Sequence, residues 1–435
     1  MNVLSEQLKN FFTGKNVLIL GFGREGRSTL SLLKKLDCNI TIADRNDVSC
    51  PETNGIEVIS GERYLDSLGK ADIIMKAPGI ALFNSVSDEV KARITGQTDL
   101  LMRFCGNRII GVTGTKGKST TSSLIFHILR NSGKDAVLIG NIGVPPLDCA
   151  DDLGEETIIV CEMSCHQLEY VKASPDIAIY LNLYEEHLDH YVDFAAYKAA
   201  KENIYRYQTE NYTLIVNSSL SPDDCSARIV TASLTEKADI YVDKEKPVIF
   251  GKEYGITTKL PGKHNLYNIG IAMEAAMLCG CDEDSIRSSV ASFDGLRHRL
   301  ENVGTVNGAV YINDSISTCP STAIAAVRAF PDTDTIIVGG MDRGIDYSEL
   351  IGFLNSSDIS TVILLPDRGH KIEPLLDHGK RSIYRAADME DAVAHAKKVT
   401  RKLCLLSPAA ASYGFYKNFE ERGDHFRALV NSGQR

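Results

Sequence analysis

The run Gly111-Val112-Thr113-Gly114-Thr115-Lys116-Gly117-Lys118-Ser119-Thr120-Thr121 constrains this chain more than any other stretch. It follows apolar Ile109-Ile110 and precedes a helical pattern that begins at Ser122. Strand, glycine loop and helix start, in that order, form a phosphate cradle. Glycines let backbone N–H groups close around an anion, and the helix N-terminus adds partial positive charge. In such a loop Lys118 reaches the outer phosphates and Ser119 places its hydroxyl on Mg2+, while Gly114, Thr115, Lys116, Gly117 and Thr120 complete the cradle. The strict pattern wants glycine where Val112 stands, so this is a variant loop.

Apolar runs alternate with amphipathic stretches along the whole chain. Val17–Leu20, Ile109–Thr113, Ile158–Cys161, Ile177–Leu181, Ile336–Val338, Val362–Leu365 and Leu403–Leu406 read as buried strands. Continuous apolar strands suit parallel sheets covered on both faces, so the fold class is α/β with crossover helices. At 435 residues the chain exceeds one ordinary core. Three domains are expected, at 1–104, 105–295 and 296–435. The first and last are Rossmann-like, and the central one holds the phosphate loop on a mostly parallel sheet. A less regular stretch, roughly Ser218 to Leu260, carries short β-like pieces and charges.

Charge narrows the partners. There are 47 basic and 57 acidic residues, a formal net charge of −10, which argues against a nucleic-acid surface. No apolar run is long enough to span a bilayer and the start shows no secretion pattern, so no membrane partner is expected and the cytoplasm is the expected compartment. Eleven cysteines fall mainly in apolar runs without zinc spacing, and read as small buried hydrophobes. A monomer is expected.

The first block opens with Gly21-Phe22-Gly23-Arg24-Glu25-Gly26 after the strand Val17–Leu20, and Asp44 follows the strand Ile40–Ala43. This is a dinucleotide fingerprint with a ribose-binding acid. The residues alone leave three options: a nicotinamide cofactor, another nucleotide diphosphate, or a tight helix–strand contact. In the second block, Glu162 ends the strand Ile158–Cys161, where an open α/β sheet places its ligand, and suits a hard metal ion. His187 follows the strand Ile177–Leu181 and reads as a second metal ligand, since its strand must lie beside that of Glu162 in one sheet. Lys201 lies in the helical pattern Tyr197–Tyr205 and would be a solvated lysine on physical grounds alone.

Taken together these residues resemble the Mur ligase family. The resemblance rests on Gly114 to Thr120, Gly140-Asn141-Ile142-Gly143, Glu162-Met163-Ser164-Cys165-His166-Gln167-Leu168-Glu169, Glu186-His187-Leu188-Asp189 and Ala200-Lys201. It continues through His264-Asn265 and Asn268, Gly295-Leu296-Arg297-His298-Arg299, Asn313-Asp314-Ser315, Leu406-Ser407-Pro408-Ala409 and Lys417–Gly423. The last two stretches look like the branch that joins glutamate to UDP-N-acetylmuramoyl-L-alanine.

The resemblance implies an ATP-dependent amide ligase of peptidoglycan precursor synthesis that works through an acyl phosphate. Its first domain would hold the UDP substrate, with Gly21, Gly23, Arg24, Glu25, Asp44, Asn141 and Ser164 as contacts. Its second would hold ATP and two Mg2+ ions, with Lys118, Glu162, His187 and Lys201 catalytic and Ser119, Glu162, His187 and a carbamate on Lys201 as metal ligands. Asn265 and Asn268 would read adenine, Arg299 the phosphates and Asp314 the ribose. Thr318, Arg343, Ser412 and Phe419 would bind glutamate, and the third domain would close over both sites. Two departures stand out: the family often has lysine where Ile316 and Arg343 stand. D-glutamate is the implied substrate. L-glutamate is the alternative, because Gly-x-Gly-Arg-Glu-Gly resembles a sister group that attaches it. A non-catalytic nucleotide-binding relative and an NAD(P)-dependent oxidoreductase are rival classes.

Overall fold

A computed structural model describes residues 3–48, 50–82, 86–186 and 190–432. The chain is α/β and divides into two compact units. The first spans residues 1–258 and 263–293; the second spans 259–262 and 294–435.

The first unit carries two sheets. The N-terminal sheet has five strands in the order Glu57–Ser60, Asn39–Asp44, Asn16–Leu20, Ile73–Lys76 and Ile94–Thr95, all parallel. Its central strand Asn16–Leu20 is buried from Val17 onward and leads straight into the turn at Gly21. The second sheet has nine strands. Ile109–Thr113 lies between Ile158–Glu162 and Ile177–Tyr180, parallel to both, so the strand before His187 is not the direct neighbour of the Glu162 strand as expected; every residue of the three is buried. A strand covered on both faces cannot alternate polar with apolar, which is why these read as unbroken apolar runs. The irregular stretch expected after Ser218 forms Arg228–Ser233, Ile240–Asp243 and the antiparallel edge Lys246–Ile249 and Lys252–Glu253.

The helix after the phosphate loop starts at Lys118, four residues before the expected Ser122, and runs to Asn131. The cause is local. Gly117 adopts φ +88°, a left-handed turn, and delivers the next residue directly into the helix. Lys118 and Ser119 therefore occupy its first turn. The helix packs against Lys263–Leu278, whose residues from Asn265 to Ala276 are buried on all sides.

The second unit has a six-stranded sheet in the order Glu301–Val306, Ala309–Asn313, Leu403–Leu406, Thr333–Gly340, Thr361–Asp367 and Ser382–Arg385. Only the first of these is antiparallel to its neighbour. The chain therefore leaves all five parallel strands at the same edge. No disulfide forms among the described cysteines. No described helix is long and apolar enough to cross a membrane.

Candidate active site

In the first unit the phosphate loop is held from behind. Asn182, just past the neighbouring strand, accepts the Lys116 N–H at 2.8 Å and returns an amide to the Lys116 carbonyl at 2.9 Å. The Thr115 hydroxyl meets Tyr197 at 2.9 Å. Lys116 itself is exposed and pairs with Glu186 at 2.8 Å. Gly114 and Gly117 adopt φ +153° and +88°, which favour glycine, and the space beside them is tight. A Cβ on Gly117 would stand 3.0 Å from Asn268 Oδ1, and one on Gly114 3.0 Å from Leu181. Asn268 thus sits against the loop, in a helix where Asn265 is also buried.

Two lysines converge on one oxygen. The Gly114 carbonyl accepts Lys118 Nζ at 2.9 Å and Lys201 Nζ at 2.9 Å. Lys201 is 1% exposed, not the solvated helix residue that its sequence context alone suggests. Burial and the neighbouring Lys118 charge push its ammonium down to about 8. At pH 7 about one such lysine in ten is neutral, against well under one in a thousand for an ordinary lysine.

Glu162 ends its strand in register with Val112 and Gly140. Asn141 donates to Glu162 Oε1 at 2.7 Å, but Oε2 is buried with no hydrogen-bond partner among the described residues. Leaving a buried acceptor unsatisfied costs about 1–3 kcal/mol, more for a charged group. The orphaned oxygen beside a phosphate loop fits a hard cation, and it is the feature by which the residues present suit magnesium. Among the described residues no cluster of three acidic, histidine or cysteine side chains forms a metal cage. The expected ligand His187 lies outside the described residues. Gly140 must be glycine: a Cβ there would lie 2.2 Å from the Glu162 carbonyl.

A separate cleft of about 730 Å3 opens beside the first sheet. Gly21, Gly23, Arg24, Glu25, Asp44 and Asn141 all line it, which brings the expected UDP contacts together. Asp44 is buried; one oxygen accepts the Phe22 N–H at 2.7 Å and the other the Asn46 N–H at 2.8 Å. Its carboxylate thus organises the glycine turn. Arg24 donates to the Gly143 carbonyl. Glu25 accepts from Gln167 at 2.7 Å, and burial raises its pKa. Ser164 is spent on a helix cap, accepting the Gln167 N–H at 3.2 Å, and is not among the cleft's lining residues.

Sequence reasoning gave no role to Gln167, Asn182 or Tyr197. It also missed Lys76, a buried cation at the end of Ile73–Lys76 that pairs with Glu169 at 3.2 Å. Gln167 stood inside a motif already singled out; the other three carry no local pattern, since their partners are far away in the chain.

The second unit places its expected residues along one sheet edge. Asp314 is 2% exposed and accepts from Ser317, from Ser407 at 2.9 Å and from the Leu300 N–H at 3.2 Å. Burial raises its pKa to about 6 despite those bonds. His298, beside Arg299, is buried against Asn313 at 3.1 Å with φ +63°. Arg299 is half-buried, and its charge acts on Asp314. Arg343 is exposed and donates to the Thr318 carbonyl at 3.0 Å. Ser412 is buried one residue past Ala411, which pairs with Met341. Phe419 opens the last helix, and Ile316 is half-buried.

Known proteins resemble this chain over most of its length. Residues 112–276 match the model of the Mur ligase middle domain. A UDP-N-acetylmuramoylalanine--D-glutamate ligase from Symbiobacterium thermophilum is 34% identical, covering 87% of this chain and 88% of that protein. A protein of the same name from Clostridium botulinum is 32% identical over 98% of each chain. Among solved structures, a UDP-N-acetylmuramate-alanine ligase from Thermotoga maritima aligns over 95% of this chain and 98% of its own at a TM-score of 0.58 and 19% identity. A UDP-N-acetylmuramoylalanyl-D-glutamyl-2,6-diaminopimelate--D-alanyl-D-alanyl ligase from Acinetobacter baumannii aligns over 99% and 98% at a TM-score of 0.60 and 14% identity. At these identities the two structures speak for the fold alone.

Proposed function

The chain belongs to the Mur ligase family, and we propose that it joins D-glutamate to UDP-N-acetylmuramoyl-L-alanine in peptidoglycan precursor synthesis, splitting ATP to ADP and phosphate. The observation that carries this reading is the meeting of Lys118 and Lys201 on the Gly114 carbonyl, in the sheet where Glu162 keeps a bare buried oxygen. It supports an ATP-dependent enzyme over a passive nucleotide binder, which has no use for a second buried lysine.

A free carboxylate does not react with an amine, because oxide is a poor leaving group. Transfer of the γ-phosphoryl group to the alanyl carboxylate forms a C–O–P linkage, breaks the β,γ P–O bond and releases ADP. The glutamate amine then attacks the acyl carbon and loses a proton, and phosphate departs. Lys118 and the N–H groups at the helix start would stabilise charge on the moving phosphoryl group. Asn141, fixed by Glu162, would orient the acceptor carboxylate. Ser119, Glu162, His187 and a carbamate on Lys201 would hold two magnesium ions, which when bound neutralise phosphate oxygens. Carbamylation joins neutral Nζ to carbon dioxide, sheds a proton and turns a cation into an anion. The lowered pKa of Lys201 favours the neutral amine which that attack needs.

The cleft at Gly21, Gly23, Arg24, Glu25 and Asp44 would take the UDP end. Asn265, Asn268, Arg299 and Asp314 would take adenine, phosphates and ribose; Thr318, Arg343, Ser412 and Phe419 would take glutamate. Three lobes at 1–104, 105–295 and 296–435 would supply these parts. The names of the relatives favour D-glutamate. L-glutamate is the second reading, motivated by Arg24-Glu25 in the first glycine turn. The test is a substrate panel on the purified chain, with magnesium, bicarbonate, ATP and UDP-N-acetylmuramoyl-L-alanine. Product mass with D- against L-glutamate decides specificity, and no phosphate release with either overturns the reading.

A further inference from the structure

Arg422, on the first turn of the last helix Phe419–Asn431, is 1% exposed. Its guanidinium is shared between two loops. Nε donates to Ser315 Oγ at 2.9 Å and Nη2 to the Ser315 carbonyl at 2.7 Å. Nη1 donates to the Ala410 carbonyl at 3.0 Å. The Ser315 hydroxyl donates a hydrogen bond to the Phe419 carbonyl at 2.8 Å. All three nitrogens are thus taken by uncharged acceptors, and the fork stays cationic: burial lowers its pKa only to about 10.

The segments so joined carry the residues expected at the glutamate subsite. Ser315 lies three residues before Thr318 and Ala410 two before Ser412, while Phe419 is the hydroxyl's acceptor. Arg343 is tied to the same group through the Met341 N–H, which donates to Ala411 at 2.9 Å, and through its own bond to Thr318. The packing leaves little slack. A Cβ on Gly340 would stand 2.6 Å from the Ala411 carbonyl and 3.1 Å from Arg422 Nη1. A planar fork reaches two loops at fixed angles, which a lysine cannot do.

We propose that Arg422 is a positioning residue for the incoming amino acid: it sets the Ser315–Thr318 turn, the Ala410–Ser412 loop and Phe419 in the one arrangement that receives glutamate. This rests on the ligase reading above. Arg422 touches no reacting atom; it acts through the loops that it fixes.

The experiment is steady-state kinetics on the full chain as Arg422→Lys, Arg422→Met and Ser315→Ala, with glutamate varied and the other substrates saturating. Both Arg422 variants should raise the glutamate KM about tenfold or more, since lysine keeps the charge and loses the fork. The KM for ATP should stay within about twofold, because uniform binding of the other substrates is untouched. Phosphate released without amide product should rise. Ser315→Ala should raise the glutamate KM by about threefold, through loss of one bridging hydroxyl. Thermal unfolding identifies any variant that fails to fold, and Ser315→Ala then decides. An unchanged glutamate KM in folded Arg422→Lys and Ser315→Ala overturns the inference, as does an ATP KM that rises in step. A wild-type chain that makes no amide product with either glutamate instead overturns the parent reading.

Discussion

Two glycine turns in the first unit enter their helices differently, through extended Gly23 and left-handed Gly117, and differ in what surrounds them. Both follow a buried strand and open a helix: Gly21 adopts φ +90° and Gly117 φ +88°. At the first, the carboxylate of Asp44 accepts an N–H of the turn, and Glu25 and Gln167 crowd the helix start. At the second, two lysine ammoniums meet on the Gly114 carbonyl. An acid that takes one turn amide leaves a turn suited to an anion held loosely along a cleft. A lysine at the loop with a second, buried amine of lowered pKa beside it suits a site where charge is moved. A glycine turn at a helix start can offer an anion site, and under the proposed function the side chains brought to it would decide between holding and reacting.

The largest test of that contrast is Lys118→Ala. Phosphate release should fall by about a thousandfold or more if the lysine has the proposed role of stabilising charge in phosphoryl transfer. A fully active variant would reduce the second turn to the status of the first. Glu162→Gln and Lys201→Ala should each cost about a hundredfold in kcat, with a higher magnesium requirement for Glu162→Gln. Intact-protein mass spectrometry should find the wild-type chain heavier by one carbon dioxide and Lys201→Ala not. An unmodified, active wild type removes the carbamate from the scheme.

At the first turn the effects should be milder and of another kind. Asp44→Asn keeps only one of two acceptor oxygens. It should raise the KM for the UDP substrate by about three- to tenfold with kcat nearly unchanged. A large loss of kcat instead would place Asp44 with the reacting groups. The smallest effect is on pH, and its sign differs between the turns. Lys201, at about 8, becomes neutral as pH rises from 6.5 to 8.5, so kcat should climb about severalfold across that window. Glu25 has a raised pKa through burial, so protonation persists above the ordinary glutamate range and relieves repulsion of a diphosphate. The KM for the UDP substrate should therefore rise as Glu25 ionises, and Glu25→Gln should flatten that limb. Equal pH trends in both parameters would dissolve the distinction.

Much of this was legible before any coordinates. The strand–loop–helix at Ile109–Asn131 could be read because its parts are contiguous and each residue's demand is local. The parallel core strands could be read because burial on both faces forbids alternation. Less was legible where distant segments meet. Lys201 looked solvated and is buried, and the capping of a helix by Ser164 and the packing of His298 against Asn313 had no local signal. The helix start was misplaced by four residues because apolar periodicity does not report a left-handed glycine at its entrance.

By itself the sequence determined the fold class, the phosphate loop and the position of Glu162 at a strand end, since these follow from periodicity and from neighbours in the chain. Tertiary structure alone decided that two like charges share one carbonyl, that a carboxylate oxygen is left bare beside them, and that Arg422 spans two loops. Those facts depend on which strands lie side by side and how deeply each charge is removed from water. Charge interactions of that kind are set by distance and burial, which adjacency along the chain does not encode.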